Sequence, residues 1–293
     1  MRNFIIATAS TCDLDKEWLD EHDIPMISYT CEVDGTVYTD DCRPETKRTI
    51  FRLMRENKMP NTSQITTYTY YEFFRELLSE GKPVLFCDMD RAISSSWFNS
   101  QRAAEQIHEE MPDAQLYILD TRCVTVGLGL LLDNMVRLAD EGKSVNEVIS
   151  WFEAHKLRIA HRFLVDDLQW LRRGGRLSNA SAIVGSLLSI KPLIYVNDEG
   201  KLIAFDKIRG KKKAIRTLLE STEHDMGSAA GKDIWLCHSD CLEDGEKWKQ
   251  MVMEKYPEAK SVTLHELGPV IGAHVGPGFL AIVYISDSET RIA

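Results

Sequence analysis

Two hydrophobic periods alternate along the chain. Short unbroken apolar runs, Phe4-Ile5-Ile6-Ala7, Val84-Leu85-Phe86-Cys87 and Gln115 to Leu119, read as buried strands. Between them apolar residues recur at helical spacing. Ile50, Phe51 and Met54 mark a helix over Glu45 to Asn57, and Tyr71, Phe74, Leu77 and Leu78 mark one over Tyr68 to Ser79 that Gly81 stops. The clearest stripe, Leu128, Leu131, Leu132, Met135, Val136 and Ala139, covers Thr125 to Asp140. Helices are also predicted over Lys16 to Glu21, Trp97 to Glu110 and Val145 to His155. A second strand is expected over Pro25 to Val33, with Asp34-Gly35 turning into Thr36-Val37-Tyr38. Such β-α alternation predicts a mostly parallel sheet covered by helices.

The pattern changes after about residue 158. Strands are expected at Arg162 to Val165, Asp233 to Cys237, Ser261 to His265 and Phe279 to Ile285. Two more, Pro192 to Val196 and Lys201 to Phe205, join through Asn197-Asp198-Glu199-Gly200 as a hairpin. Helices fall at Leu168 to Arg172, Ala180 to Leu188, Ala214 to Glu220 and Glu243 to Lys255. The reading is therefore an α/β domain over 1–158 and an α+β domain over 159–293. One segment resists both periods. Leu267 to Phe279 carries four glycines and two prolines around His274, and is expected to be a rigid turn rather than a helix.

Composition narrows the class. With 293 residues, 44% hydrophobic and 27% charged, the chain can bury a full core. A net charge of −10 disfavours general binding to nucleic acid or anionic membranes. No apolar run is long enough to span a bilayer, and the N-terminus lacks the apolar core of a signal peptide. Seven scattered cysteines do not form a disulfide framework. A cytoplasmic protein is expected.

The candidate chemistry is thin. There is no nucleophile elbow, phosphate loop, dinucleotide fingerprint or His-Glu-x-x-His motif. Gly127-Leu128-Gly129 lies in a helical pattern and reads as helix packing. Cys237-His238-Ser239-Asp240-Cys241 could supply metal ligands, but its spacing has no second Cys/His pair, and no metal is expected. Ser10, Thr11 or Asp13 could cap the first helix. Arg209-Gly210-Lys211-Lys212-Lys213 places cations at a helix start, where the dipole disfavours them, and suggests an acidic or phosphate-bearing partner. Thr62-Ser63-Gln64, Ser94-Ser95-Ser96, His274 and Arg176 beside its glycines remain. Hydroxyls with a histidine and an arginine are what a buried carboxylate or phosphate needs to offset desolvation.

Several stretches resemble the DegV family of fatty-acid-binding proteins. They are Ser10 to Leu14, Thr62-Ser63-Gln64, Gly127-Leu128-Gly129, Leu171 to Ser178, Gly185 to Leu193, Lys207 to Ala214 and Gly268 to Gly278, in the family's order. The resemblance implies a two-domain DegV-like (EDD) α/β fold that holds one long-chain fatty acid, such as palmitate or oleate, between its domains. It implies no complete catalytic site and no cofactor, and for some members a separate fatty acid kinase that phosphorylates the bound carboxyl for phospholipid synthesis. Thr62 and Ser94 match the hydroxyls that hold the carboxylate, His274 and Arg176 the supporting network, and Arg209 the kinase-docking surface. The chain departs from the family at Asp90-Arg91-Ala92-Ile93-Ser94-Ser95-Ser96, where a Ser-Ser-Gly-Leu-Ser-Gly-Thr loop is usual. It departs also at Ala9, where an aspartate is common, and at Trp97, where a tyrosine is usual.

Two other readings stay open at this point. One is an enzyme acting on a small carboxylated or phosphorylated metabolite with His274 as acid or base. The other is an interaction module that uses the basic run at 209–213.

Overall fold

A computed structural model describes residues 2–176 and 190–291. The helix expected over Ala180 to Leu188 lies outside the described residues.

The buried runs of the first half form a parallel sheet in the order β2 (Met26–Ile27), β1 (Ile5–Ala9), β6 (Val84–Asp88) and β7 (Leu116–Asp120). Both faces of such a sheet are covered, so its strands carry no polar alternation. β1 and β6 are accordingly buried at every position. Helices α3 (Thr67–Leu78), α4 (Ser96–Glu110) and α5 (Val126–Asp140) pack on it, and α1 (Lys16–Glu21), α2 (Pro44–Arg55) and α6 (Val145–His155) complete the first half.

The second half builds a mixed six-stranded sheet, in the order β10 (Leu202–Arg209), β9 (Ile190–Val196), β8 (Ile159–Leu164), β13 (Leu280–Ile285), β11 (Asp233–His238) and β12 (Ser261–Glu266). Its neighbours pair antiparallel except β11 with β12. Helices α7 (Leu168–Gly174), α8 (Lys211–Ser221), α9 (Leu242–Lys255) and α10 (Pro269–Val275) accompany it. α5 ties the halves together. It packs on β6 of the first sheet and on β8, β11 and β13 of the second, and one apolar core runs through both. That double contact explains why α5 is buried nearly all round.

Four expectations are corrected. The strand expected over Pro25 to Val33 is broken: β2 joins the parallel sheet, whereas β3 (Thr30–Val33) joins a small antiparallel sheet with β4 (Thr36–Thr39) and β5 (Asn61–Ser63). The loop expected at Met59 to Gln64 therefore contains a strand, whose main chain pairs with β3 although its side chains are polar. Ser10, Thr11 and Asp13 do not cap α1. Its N-cap is Asp15, without a side-chain bond, and residues 10–12 form a buried 3-10 turn. Finally, the glycine-proline segment is helical over Pro269–Val275. Pro269 occupies the first turn, where no N–H is required, and Gly276 ends the helix at φ +76°.

Candidate functional site

The small antiparallel sheet places Thr62. Its strand β5 pairs Thr62 with Cys31 of β3, and α10 lies across both strands. α10 in turn carries His274, in its last turn. The Thr62 hydroxyl and His274 Nε2 meet at 2.9 Å. The close approach of α10 depends on glycines. A Cβ at Gly272 would stand 2.6 Å from the Phe51 ring, and one at Gly174 would stand 2.4 Å from His274 Nδ1. That nitrogen has no hydrogen-bond partner among the described residues. Burial, with the Arg176 charge adding to it, pushes the His274 imidazole down to about 4, so it is neutral at pH 7.

Ser94 lies on the loop between β6 and α4. Asp90 shapes this loop: its carboxylate accepts the Ala92 N–H at 2.7 Å, and its carbonyl accepts the Ile93 and Ser94 N–H groups at 3.1 Å each. Ser94 Oγ accepts the Ser96 N–H at 3.3 Å. Arg176 follows Gly175, which takes φ +68° to end α7. Its Nε donates to the Ile93 carbonyl at 3.3 Å, and a terminal nitrogen donates to the Gly174 carbonyl. The arginine thus bridges the 90–96 loop and α7.

These residues line a cavity with two ends. At the polar end Tyr29, Thr62, Ser63, Gln64, Ser94, Arg176 and His274 surround about 360 Å3 of atom-free space, counted out to its open mouth. The adjoining space, about 540 Å3 on the same count, is lined by Val124, Phe163, Leu171, Leu202, Phe279 and Val283 among others. Ile93, Arg176, Ile271 and His274 belong to both. Only about 40 Å3 in each admits the centre of a water molecule, so the space is a narrow slot. A polar head continuous with an apolar slot has the shape of an amphiphile. Four residues singled out in the sequence, Thr62, Ser94, Arg176 and His274, converge here. Arg209 does not line the slot; it is exposed at the end of β10.

The family model for DegV, whose members are described as uncharacterised proteins, matches residues 3–287. The chain belongs to the DegV family. A DegV domain-containing protein of Clostridium perfringens is 38% identical over 290 residues, 99% of each chain. One from Streptococcus pyogenes is 35% identical over 287 residues, 98% of this chain and 99% of that one. Among solved structures, a DegV family protein of Thermus thermophilus described by its fatty acid binding superposes with a TM-score of 0.86 at 28% identity, over 98% of this chain and 100% of that one. DegV of Bacillus subtilis, described as a fatty acid binding protein, gives 0.84 at 26%, over the same shares. A stearic-acid-binding protein of Eubacterium ventriosum shares the fold, with a TM-score of 0.87 at 24% identity over 97% and 98% of the two chains.

The expected DegV fold is thus present, with its parallel and mixed sheets. Sequence reasoning missed Tyr29 and Asp90. Tyr29 sits in a stretch that reads as plain strand, and only the break between β2 and β3 turns it to the slot. Asp90 had a readable signal, since a loop that ends in Ser-Ser-Ser before a helix favours a nearby side chain able to satisfy its N–H groups. Gly127 is a packing glycine: a Cβ there would stand 1.8 Å from His161 Nε2. Cys237 and His238 end a buried strand, and among the described residues no group of three or more His, Cys, Asp and Glu could hold a metal ion. Nor is any described helix long and apolar enough to cross a membrane.

Proposed function

We propose that this DegV protein binds one long-chain fatty acid, with its carboxyl group at Thr62, Ser94, His274 and Arg176 and its acyl chain along the apolar slot. The observation that carries this reading is the continuity of the two ends. The same Arg176 and His274 that face the polar pocket also close the apolar one. Relatives described as fatty-acid-binding support it. The slot lies where segments of a 1–158 domain (Tyr29, Thr62, Ser94) meet segments of a 159–293 domain (Arg176, His274).

The protein acts as a cytoplasmic carrier rather than an enzyme. His274 is buried, neutral at pH 7 and backed by an apolar slot, which suits a hydrogen-bonding role better than proton transfer to a polar metabolite. The bound carboxyl is offered to a fatty acid kinase that docks on the surface around Arg209. Lys212 and Lys213 are exposed beside it, while Lys211 is paired with Asp244 at 2.6 Å.

The test is organic extraction of the purified protein followed by mass spectrometry, with uptake of added palmitate or oleate measured in parallel. An approximately equimolar acyl chain is expected. No extracted acid together with no uptake would sink the reading.

A further inference from the structure

The polar and apolar ends of the slot meet at one passage. Among the described residues, Ile93, Arg176, Ile271 and His274 line both ends. Thr62 and Ser94 line the polar end alone, and Val124, Phe163 and Phe279 the apolar end alone. The four shared residues therefore ring a neck. Its polar members are Arg176 and His274, and its apolar walls are Ile93 and Ile271. Ile271 and His274 are three residues apart on α10, so they share one helix face. Ile93 reaches the neck from the 90–96 loop of the first half.

Both walls are held in place. The Ile93 N–H donates to the Asp90 carbonyl at 3.1 Å, and the Ile93 carbonyl accepts Arg176 Nε at 3.3 Å. Asp90 is itself wedged against the turn between β9 and β10, since a Cβ at Gly200 would stand 1.2 Å from its Oδ2. α10 is held at its start, middle and end. The Gly268 N–H donates to Asp13 Oδ1 at 3.0 Å. Gly272 lies on the Phe51 ring, and a Cβ at Gly276 would stand 2.2 Å from the Trp170 ring. The side chains adapt little as well, because isoleucine is branched at Cβ and stiff at χ1. On either side of the neck only about 40 Å3 admits the centre of a water molecule.

The place of the neck decides which part of a ligand meets it. Arg176 and His274 belong both to the polar end and to the neck. An acid whose carboxyl group lies against them has its next two carbons, C2 and C3, between Ile93 and Ile271. A straight chain presents only hydrogens there. Methyl groups added in a close-packed passage act as overpacking does, and force the walls apart or the head out of place.

We propose that Ile93 and Ile271 select acids by the first two carbons after the carboxyl group, passing chains that are unbranched at C2 and C3 and rejecting those that carry methyl groups there. Branches or cis double bonds further along lie past the neck and are not sensed by it. The inference rests on the acyl-binding reading above and narrows its ligand class.

The test compares palmitate with 2,2-dimethylhexadecanoic acid, which is achiral and differs only in the two methyl groups at C2. Both compete against one fluorescent fatty acid on the full-length protein. The dimethyl acid is expected to bind at least about tenfold more weakly. Ile93→Ala and Ile271→Ala each remove one wall and should bring the two acids to within about threefold of each other. Circular dichroism checks that the variants fold. Ile93 is only half-buried, so its variant tests the neck even where Ile271→Ala does not fold. Equal affinity of the parent protein for the two acids, or a gap that neither folded variant reduces, would overturn the proposal. A parent protein that binds neither the fluorescent acid nor palmitate would instead refute the acyl-binding reading beneath it.

Discussion

Thr62 and His274 are 212 residues apart in sequence, and their side chains meet at 2.9 Å. One comes from an edge strand of the small sheet and the other from the glycine-rich helix laid over it, so the pair spans the two halves of the chain. Removing either partner leaves the other short of a hydrogen bond in a mostly buried site. Thr62→Val and His274→Leu should each weaken palmitate binding by about 1–3 kcal/mol, and the double variant should lose less than the sum of the two. Competition with a fluorescent fatty acid measures both effects. Strict additivity would mean that the pair is not coupled.

Gly174 separates site geometry from overall stability. An added methyl there would meet His274 Nδ1 at 2.4 Å, and the ring must swing away from Thr62. Gly174→Ala should therefore reduce affinity about as much as His274→Leu. Gly127→Ala acts at the apolar end of the slot, which His161 lines. Its methyl would meet His161 Nε2 at 1.8 Å, inside a helix that touches both sheets. Overpacking of this kind costs about 1–3 kcal/mol, read as a lower midpoint in urea unfolding.

His161 gives a pH signature. It is 4% exposed, its Nδ1 pairs with the Ile159 carbonyl at 3.0 Å, and burial pushes it down to about 3. Between the ordinary histidine value of about 6.5 and pH 3, the unfolded chain holds a proton that the folded one does not. Stability from this residue thus falls as pH drops through that window. His161→Phe should narrow the gap in melting temperature between pH 7 and pH 5.

Asp40 has the opposite sign. It is 1% exposed, and burial lifts it to about 7. Between the ordinary aspartate value of about 4 and pH 7 the folded state holds the extra proton, so this contribution is lost as pH rises. Asp40→Asn should raise the melting temperature more at pH 8 than at pH 5. An equal rise at both would show that its charge is not what matters.

Arg209 tests the docking surface apart from the slot. Arg209→Glu should leave palmitate affinity unchanged, because the residue is exposed and lines neither end of the cavity. Acyl-phosphate formation with a fatty acid kinase should fall at least tenfold, since charge reversal at a docking surface acts on association. Equal rates for the variant and the parent would remove Arg209 from the docking surface.

Periodicity alone determined the parallel strands β1, β6 and β7 with the helices after them, the hairpin of the second half and the stripe of α5, because local burial patterns encode which face of an element meets a core. The ordered motifs marked the family, and with it the four polar residues that converge on the slot. Tertiary structure decided the rest. Whether Pro269–Val275 is helix or turn depends on Phe51 accepting a bare glycine face, a contact between residues more than 200 positions apart. Tyr29 becomes a lining residue only because the chain leaves one sheet and enters another on either side of it. Asp88 reads in the sequence as a strand end. Its role as the shared acceptor for Tyr70, Thr11 and Tyr29 exists only once α3, the 3-10 turn and the β2–β3 connection fold around it, because a buried carboxylate gathers donors from elements that only packing brings together.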